Sequence, residues 1–259
     1  MQRSRRDFLK LAGISAAALS AGTLGLLGGG AKAADTLPQA SNFEHPLTAK
    51  RWAMVVDTPK FDGALMDKCI EACHSYHNVP DIPDKKQEVK WIWKDDFDAT
   101  FPGQAPDYLD DNTKKREFLL LCNHCTNPPC VRVCPTQATF KRPDGIVAMD
   151  YHRCIGCRYC MAGCPFGARS FNFRDPKDYI KEINPLFPHR MRGVVEKCTF
   201  CVEQLAQGKM PLCVEASGGA MLFGDLEDQN STVRQALKEH YAIRRKPDAG
   251  TEPGVFYIL

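Results

Sequence analysis

The hydrophobic pattern of the chain predicts short elements separated by turns. Phe118–Leu121 is an apolar run of the kind carried by a buried strand. Ala138–Asp150 divides into two strand-like halves around Pro143-Asp144-Gly145, a tight-turn sequence, and so predicts a β-hairpin. Arg169–Phe173 and Ala220–Asp225 are further strand candidates. Lys197–Leu205 predicts a short helix stopped by Gly208, and Ser231–Tyr241 a longer one capped by Ser231 or Thr232. Residues 34–60 show little periodicity and read as a polar lead-in. The tail from Lys246 to Leu259 is punctuated by Pro and Gly.

One stretch stands apart. Leu11–Gly30 is uncharged, rich in Ala, Gly and Leu, and follows Ser4-Arg5-Arg6-Asp7-Phe8-Leu9-Lys10, a twin-arginine pattern. About 20 apolar residues can span a bilayer, but Ala31-Lys32-Ala33 supplies an A-x-A cleavage site, so residues 1–33 read as a signal peptide. The twin-arginine route exports folded protein, which predicts a periplasmic location with cofactors inserted beforehand in the reducing cytoplasm. The chain has 259 residues, 34 of them Lys/Arg and 31 Asp/Glu; with residues 1–33 set aside, 29 basic and 30 acidic remain. That balance argues against a nucleic-acid partner, which needs a basic excess.

The 13 cysteines carry the chemistry. Cys122, Cys125, Cys130 and Cys134 read C-x2-C-x4-C-x3-C-P, and Cys154, Cys157, Cys160 and Cys164 read C-x2-C-x2-C-x3-C-P. The second matches the bacterial iron–sulfur run, in which three thiolates hold one [4Fe–4S] cube and the fourth crosses to its neighbour. Disulfides fit an odd total and such tight spacing poorly, and zinc ribbons separate their C-x2-C pairs by longer loops. The crossing rule gives cluster A to Cys122, Cys125, Cys130 and Cys164, and cluster B to Cys154, Cys157, Cys160 and Cys134. Gly156, Gly163 and Gly167 are expected to let the backbone approach the cubes. Pro135 and Pro165 are expected to turn the chain away after each crossing cysteine. His124 reads as a residue beside the cluster or on the surface.

Cys122-Asn-His-Cys-Thr-Asn-Pro-Pro-Cys130, Cys154-Ile-Gly-Cys-Arg-Tyr-Cys160, Lys197-Cys-Thr-Phe-Cys201, Phe223-Gly-Asp-Leu226 and Gly250-Thr-Glu-Pro253 together resemble the four-cluster ferredoxin-type electron-transfer subunits of bacterial respiratory membrane complexes. The likeness covers most of residues 61–259. Such subunits accompany polysulfide, tetrathionate and nitrite reductases, and the exported iron–sulfur subunit of the sulfate-reduction-associated Dsr membrane complex (DsrO) is the branch most similar. The resemblance implies an α+β fold: a duplicated two-cluster ferredoxin-like core (about 118–175), an outer cluster lobe (61–80 and 197–225), a long insert and a C-terminal extension. In that family the first and last cysteine groups also pair by crossing. Here the first group lacks ligands at Gly63 and Met66 and the last lacks one at Ser217, so one outer cube keeps only Cys69. The other, cluster C, keeps Cys73, Cys198, Cys201 and Cys213. The expectation is three [4Fe–4S] clusters, with Cys69 a non-ligand in a filled pocket. Rescue of the fourth site by His74 or His77 would need at least two unusual ligands.

No nucleophile–base pair, phosphate loop or spare metal triad stands out, which predicts a conductor of single electrons and not a catalyst. The implied partners are an integral membrane quinone-interacting subunit and a multihaem cytochrome c or other redox subunit, in sulfur or sulfate metabolism. The alternatives are the electron-transfer subunit of a molybdopterin-type polysulfide, tetrathionate or nitrite reductase, or a stand-alone periplasmic ferredoxin. Trp91, Trp93, Phe97, Phe101 and Tyr108, in the insert between Cys73 and Cys122, could form a docking surface or cap the core.

Overall fold

Trp52–Asp57 forms the first strand, β1, and every residue in it is buried. Trp52, Met54 and Val56 face the main core, whereas Ala53 and Val55 face a second, smaller one. A strand covered on both faces carries a continuous apolar run without polar alternation. That is why residues 34–60 read as a lead-in, although their last third holds a central strand. The computed structural model describes residues 45–104 and 106–259. The twin-arginine segment and cleavage site lie outside the described residues.

Helix α1, Gly63–Tyr76, follows, with the Asp62 carboxylate accepting from Leu65 N–H at 2.7 Å as its cap. The insert supplies β2 (Ile92–Asp95), α2 (Phe97–Thr100) and α3 (Asp111–Lys115), and leads to β3 (Phe118–Leu121), which pairs antiparallel with β2. Then come α4 (Pro129–Arg132), β4 (Thr139–Lys141), β5 (Val147–Met149), α5 (Tyr159–Ala162), β6 (Ser170–Phe171) and β7 (Val195–Glu196). β4 and β5 form the expected hairpin, and β6 pairs with β7. Next are α6 (Val202–Ala206), α7 (Leu212–Ala216), β8 (Met221–Asp225), α8 (Thr232–Glu239), β9 (Ala242–Ile243) and β10 (Val255–Ile258). The fold is α+β, as expected. Among the described residues no helix is long and apolar enough to cross a membrane.

The main sheet has the order β8-β1-β10-β9, with β1 and β10 parallel and the other pairs antiparallel. The tail therefore ends inside the sheet, beside β1. Helix α8 covers one face through Val233 and Ala236, and the Ser231 hydroxyl caps it by accepting from Arg234 N–H at 3.2 Å. Burying Val233 contributes roughly 1.5–3 kcal/mol.

Two readings of the sequence need correction. The helix expected over 197–205 begins only at Val202, because Phe200 and Cys201 adopt φ of +57° and +49°. The strand expected over 169–173 narrows to Ser170–Phe171. The insert's aromatics divide cleanly. Trp91, Trp93, Phe97 and Phe101 are buried while Tyr108 is 98% exposed, so four of the five cap the core and offer no docking surface. Phe101 meets Phe118 and Tyr257 edge-on at 5.3 and 5.4 Å, and Arg245 Nε donates to the Thr100 carbonyl at 2.8 Å, tying insert to tail.

Candidate iron–sulfur sites

The C-x2-C loops that open at Cys122, Cys154 and Cys198 share one backbone device. In each, the residue before the second cysteine has positive φ: His124 at +41°, Gly156 at +69° and Phe200 at +57°. At Gly156 only glycine fits, since a Cβ would lie 2.4 Å from the Gly193 carbonyl oxygen. Here glycine is required by the close packing of two chain segments, a different reason from the expected approach to a cube. A left-handed residue with a side chain costs roughly 1–2 kcal/mol, and the other two loops offset that cost against each other. The His124 and Phe200 rings stack with centroids 3.7 Å apart. His124 is buried, its Nδ1 accepts from Val147 N–H at 3.1 Å, and burial with Lys197 and Arg169 nearby keeps its pKa well below the ordinary value. It is a neutral internal prop, not a surface residue.

After each loop the third cysteine rides on a one-turn helix: Cys130 on α4, Cys160 on α5 and Cys213 on α7. Folding brings the expected sets together unevenly. Cys122, Cys125, Cys130 and Cys164 line one cavity with Asn123, Phe166 and Arg169; this is site A. Cys73, Cys198, Cys201 and Cys213 line a second, closed by Trp91, Ile92 and Leu121; this is site C. For site B, Cys160 is buried, and Cys134, Cys154 and Cys157 are half-buried. Cys154 packs against the small cluster formed by Cys160, Cys130, Val147 and Val195.

The residues fit [4Fe–4S] cubes, each of which takes four thiolates. Burial, with neighbouring cysteines adding to it, pushes the Cys125 and Cys198 thiols up to about 12. Such buried sulfurs become thiolates only when a cation binds. At Cys134 burial also pulls upward, but hydrogen bonds from the Thr139 backbone and Thr136 outweigh it and hold the thiol below its ordinary value. Among the described residues the Asn123 amide beside site A and the Thr199 hydroxyl beside site C are buried without partners, free to meet cluster sulfur.

The positions from which the sequence reading expects a fourth site to be lost look different. Gly63 and Met66 lie in the first turns of the continuous helix α1, with no C-x2-C loop. Met66, Cys69 and Ser217 are buried. The Cys69 thiol donates to the Cys213 carbonyl at 3.5 Å, and burial raises it to about 11 against the opposing effect of Lys68. The Ser217 hydroxyl is occupied, donating to Val214 O at 2.7 Å and accepting from Met221 N–H at 2.9 Å. Helices α1 and α7 pack against each other here. His74 faces the Ile92 carbonyl at 3.1 Å, and His77 faces the Cys73 carbonyl at 2.7 Å and Glu203 at 2.8 Å, so both rings are engaged away from Cys69.

Several site residues were not foreseen. Arg169 and Lys197 are buried beside the cysteines, and the 250–254 segment wraps the first loop. Thr126 N–H donates to Glu252 O, Asn127 N–H to Thr251 O, and Gly254 N–H to Asn123 O at 2.7 Å. The only sequence signal for these was their place inside or next to the motifs.

A model of the 4Fe-4S dicluster domain matches residues 117–226. The chain is 39% identical to the Hdr-like menaquinol oxidoreductase iron–sulfur subunit 1 of Archaeoglobus fulgidus, over 98% of its length and 97% of the relative's. It is 36% identical to the iron–sulfur cluster-binding subunit of the menaquinone reductase of Nitratidesulfovibrio vulgaris, over 80% of this chain and 88% of that one. With a subunit of the tetrathionate reductase of Salmonella typhimurium it shares 47% identity, over 53% of this chain and 50% of that one. The chain therefore belongs to the family of [4Fe–4S] iron–sulfur subunits that transfer electrons within oxidoreductase complexes.

Proposed function

We propose that this subunit carries three [4Fe–4S] clusters, at sites A, B and C, and works on the periplasmic side of a membrane complex. There it relays electrons between a quinone-interacting membrane subunit and a second redox subunit, such as a multihaem cytochrome c. The observation that carries the reading is the lining of two cavities, each by four cysteines drawn from separate stretches of chain. The menaquinol and menaquinone names of two relatives that match most of the chain favour a quinone-linked complex. The twin-arginine pattern favours export in the folded state.

When bound, the cubes supply one-electron redox chemistry at potentials set by their surroundings. The chain's part is to hold and order the sites. Cys130 and Cys160 pack together, joining A to B, and the stacked His124 and Phe200 join the loops of A and C. The order along the protein is thus B, A, C. Trp91, Ile92 and Leu121 exclude water from C, whereas the half-buried cysteines make B the site nearest solvent.

Iron and acid-labile sulfide analysis of anaerobically purified protein tests the count. About twelve iron atoms per chain are expected from three cubes of four. A value near sixteen would sink the loss of the fourth site, and one near eight would sink site C. Co-purification with a multi-span membrane protein from solubilised membranes tests the partner; recovery only as a free soluble carrier would favour a stand-alone ferredoxin.

A further inference from the structure

We propose that Arg169 and Lys197 are the buried countercharges of the electron path, each raising the reduction potentials of the two sites it stands between. The inference rests on the three-site reading above. Arg169 is 5% exposed. Its Nη2 donates to Cys130 Sγ at 3.0 Å and its Nη1 to Thr139 Oγ1 at 2.8 Å. Cys130 belongs to site A and packs against Cys160 of site B, so the guanidinium lies at the A–B junction. Lys197 is fully buried, and its Nζ donates to the carbonyls of Val147 and Cys198, the latter at 2.8 Å. Val147 lines site A and Cys198 lines site C, which puts the ammonium at the A–C junction.

Neither cation forms an ion pair with a carboxylate among the described residues. Arg190, by contrast, meets Glu196 at 2.7 Å. A buried cation without a countercharge is strongly unfavourable. Cubes held by four thiolates carry net negative charge, and that charge completes both positions. Reduction adds a further negative charge, so a fixed cation in a low-dielectric surrounding stabilises the reduced form more than the oxidised form. The effect falls on the nearest sites: A and B for Arg169, A and C for Lys197.

The test is an EPR-monitored redox titration of anaerobically purified holoprotein, with iron measured on the same samples. In Arg169→Met the potentials of A and B are expected to fall and that of C to stay. In Lys197→Met, A and C are expected to fall and B to stay. Each fall should reach tenfold or more in the one-electron equilibrium constant, about 59 mV. The charge-keeping variants Arg169→Lys and Lys197→Arg should hold every one-electron equilibrium constant within about threefold of the parent. Iron loss in a Met variant that its charge-keeping counterpart prevents, with parental potentials, also supports the assignment. A shift shared by all sites, a shift at one site only, or no shift in iron-replete protein overturns it. So does iron loss that the charge-keeping variant does not prevent. A wrong cluster count would show in the iron analysis of the parent, independently of these shifts.

Discussion

Glu196 offers the sharpest stability test, because one carboxylate holds several chain segments together two residues before Cys198. Its side chain is fully buried. One oxygen accepts from Trp91 Nε1 and Arg190 Nε, both at 2.7 Å, and the other accepts from Asn172 Nδ2. Arg190 in turn donates to the carbonyls of His77 and Asn78. Glu196→Gln keeps the shape, leaves the Arg190 charge uncompensated, and turns an amide donor toward Asn172 or Arg190. Breaking a buried pair from one side costs about 3–5 kcal/mol. The lower end applies here, since the amide oxygen can still accept one bond. At about 2–4 °C per kcal/mol for a chain of this size, the midpoint should fall by about 6–12 °C. Thermal unfolding of the holoprotein under anaerobic conditions, followed by circular dichroism and by cluster absorbance, reads both the fold and the sites. Cluster absorbance should begin to fall first, because β7 feeds directly into site C. The double variant Arg190→Met/Glu196→Gln should lose less than the two single variants summed, by about 1–3 kcal/mol. A midpoint within about 2 °C of the parent for Glu196→Gln would refute the reasoning.

Cys69→Ala should keep the full iron content and cost about 1 kcal/mol for the lost buried sulfur, whereas Cys73→Ser should lose about four iron atoms; equal iron in the two variants would contradict the assignment of site C. Asp225 accepts from Lys50 N–H at 2.8 Å and Arg51 N–H at 3.0 Å, and although burial raises its pKa these backbone bonds outweigh that and hold it below the ordinary carboxylate value. Its stabilising effect is therefore full above about pH 4 and lost as pH falls through the depressed folded value. Asp225→Asn should remove that part of the acid dependence in urea unfolding at graded pH, and an unchanged pH profile would count against it.

What was legible in the sequence was mostly local. The hairpin over 138–150 was visible because a Pro-Asp-Gly turn separates two short apolar runs, and the α8 cap because Ser231 precedes a run of helical period. In the two central groups the cysteine spacings put three donors within one loop and one turn of helix. Where local pattern failed, distant partners decided. β1 lost its alternation because both faces are covered, one by the main core and the other by α8. The 197–205 helix lost its first turns because the outer loop needs left-handed residues at Phe200 and Cys201. The tail reads as an extension, and its strand owes its place to pairing with β1, about 200 residues away in the chain.

By itself the sequence determined the chemistry of this protein: spaced cysteines suited to [4Fe–4S] clusters, and electrons as its cargo. Thiolate ligation depends on short-range spacing, and spacing is written along the chain. Only the tertiary structure decided that α1 packs on α7 around Cys69, that His124 braces Phe200, and that Arg169 and Lys197 are buried beside the cysteines. Those are contacts between residues far apart in sequence, set by packing and by the need to satisfy buried charge, and no local pattern encodes them.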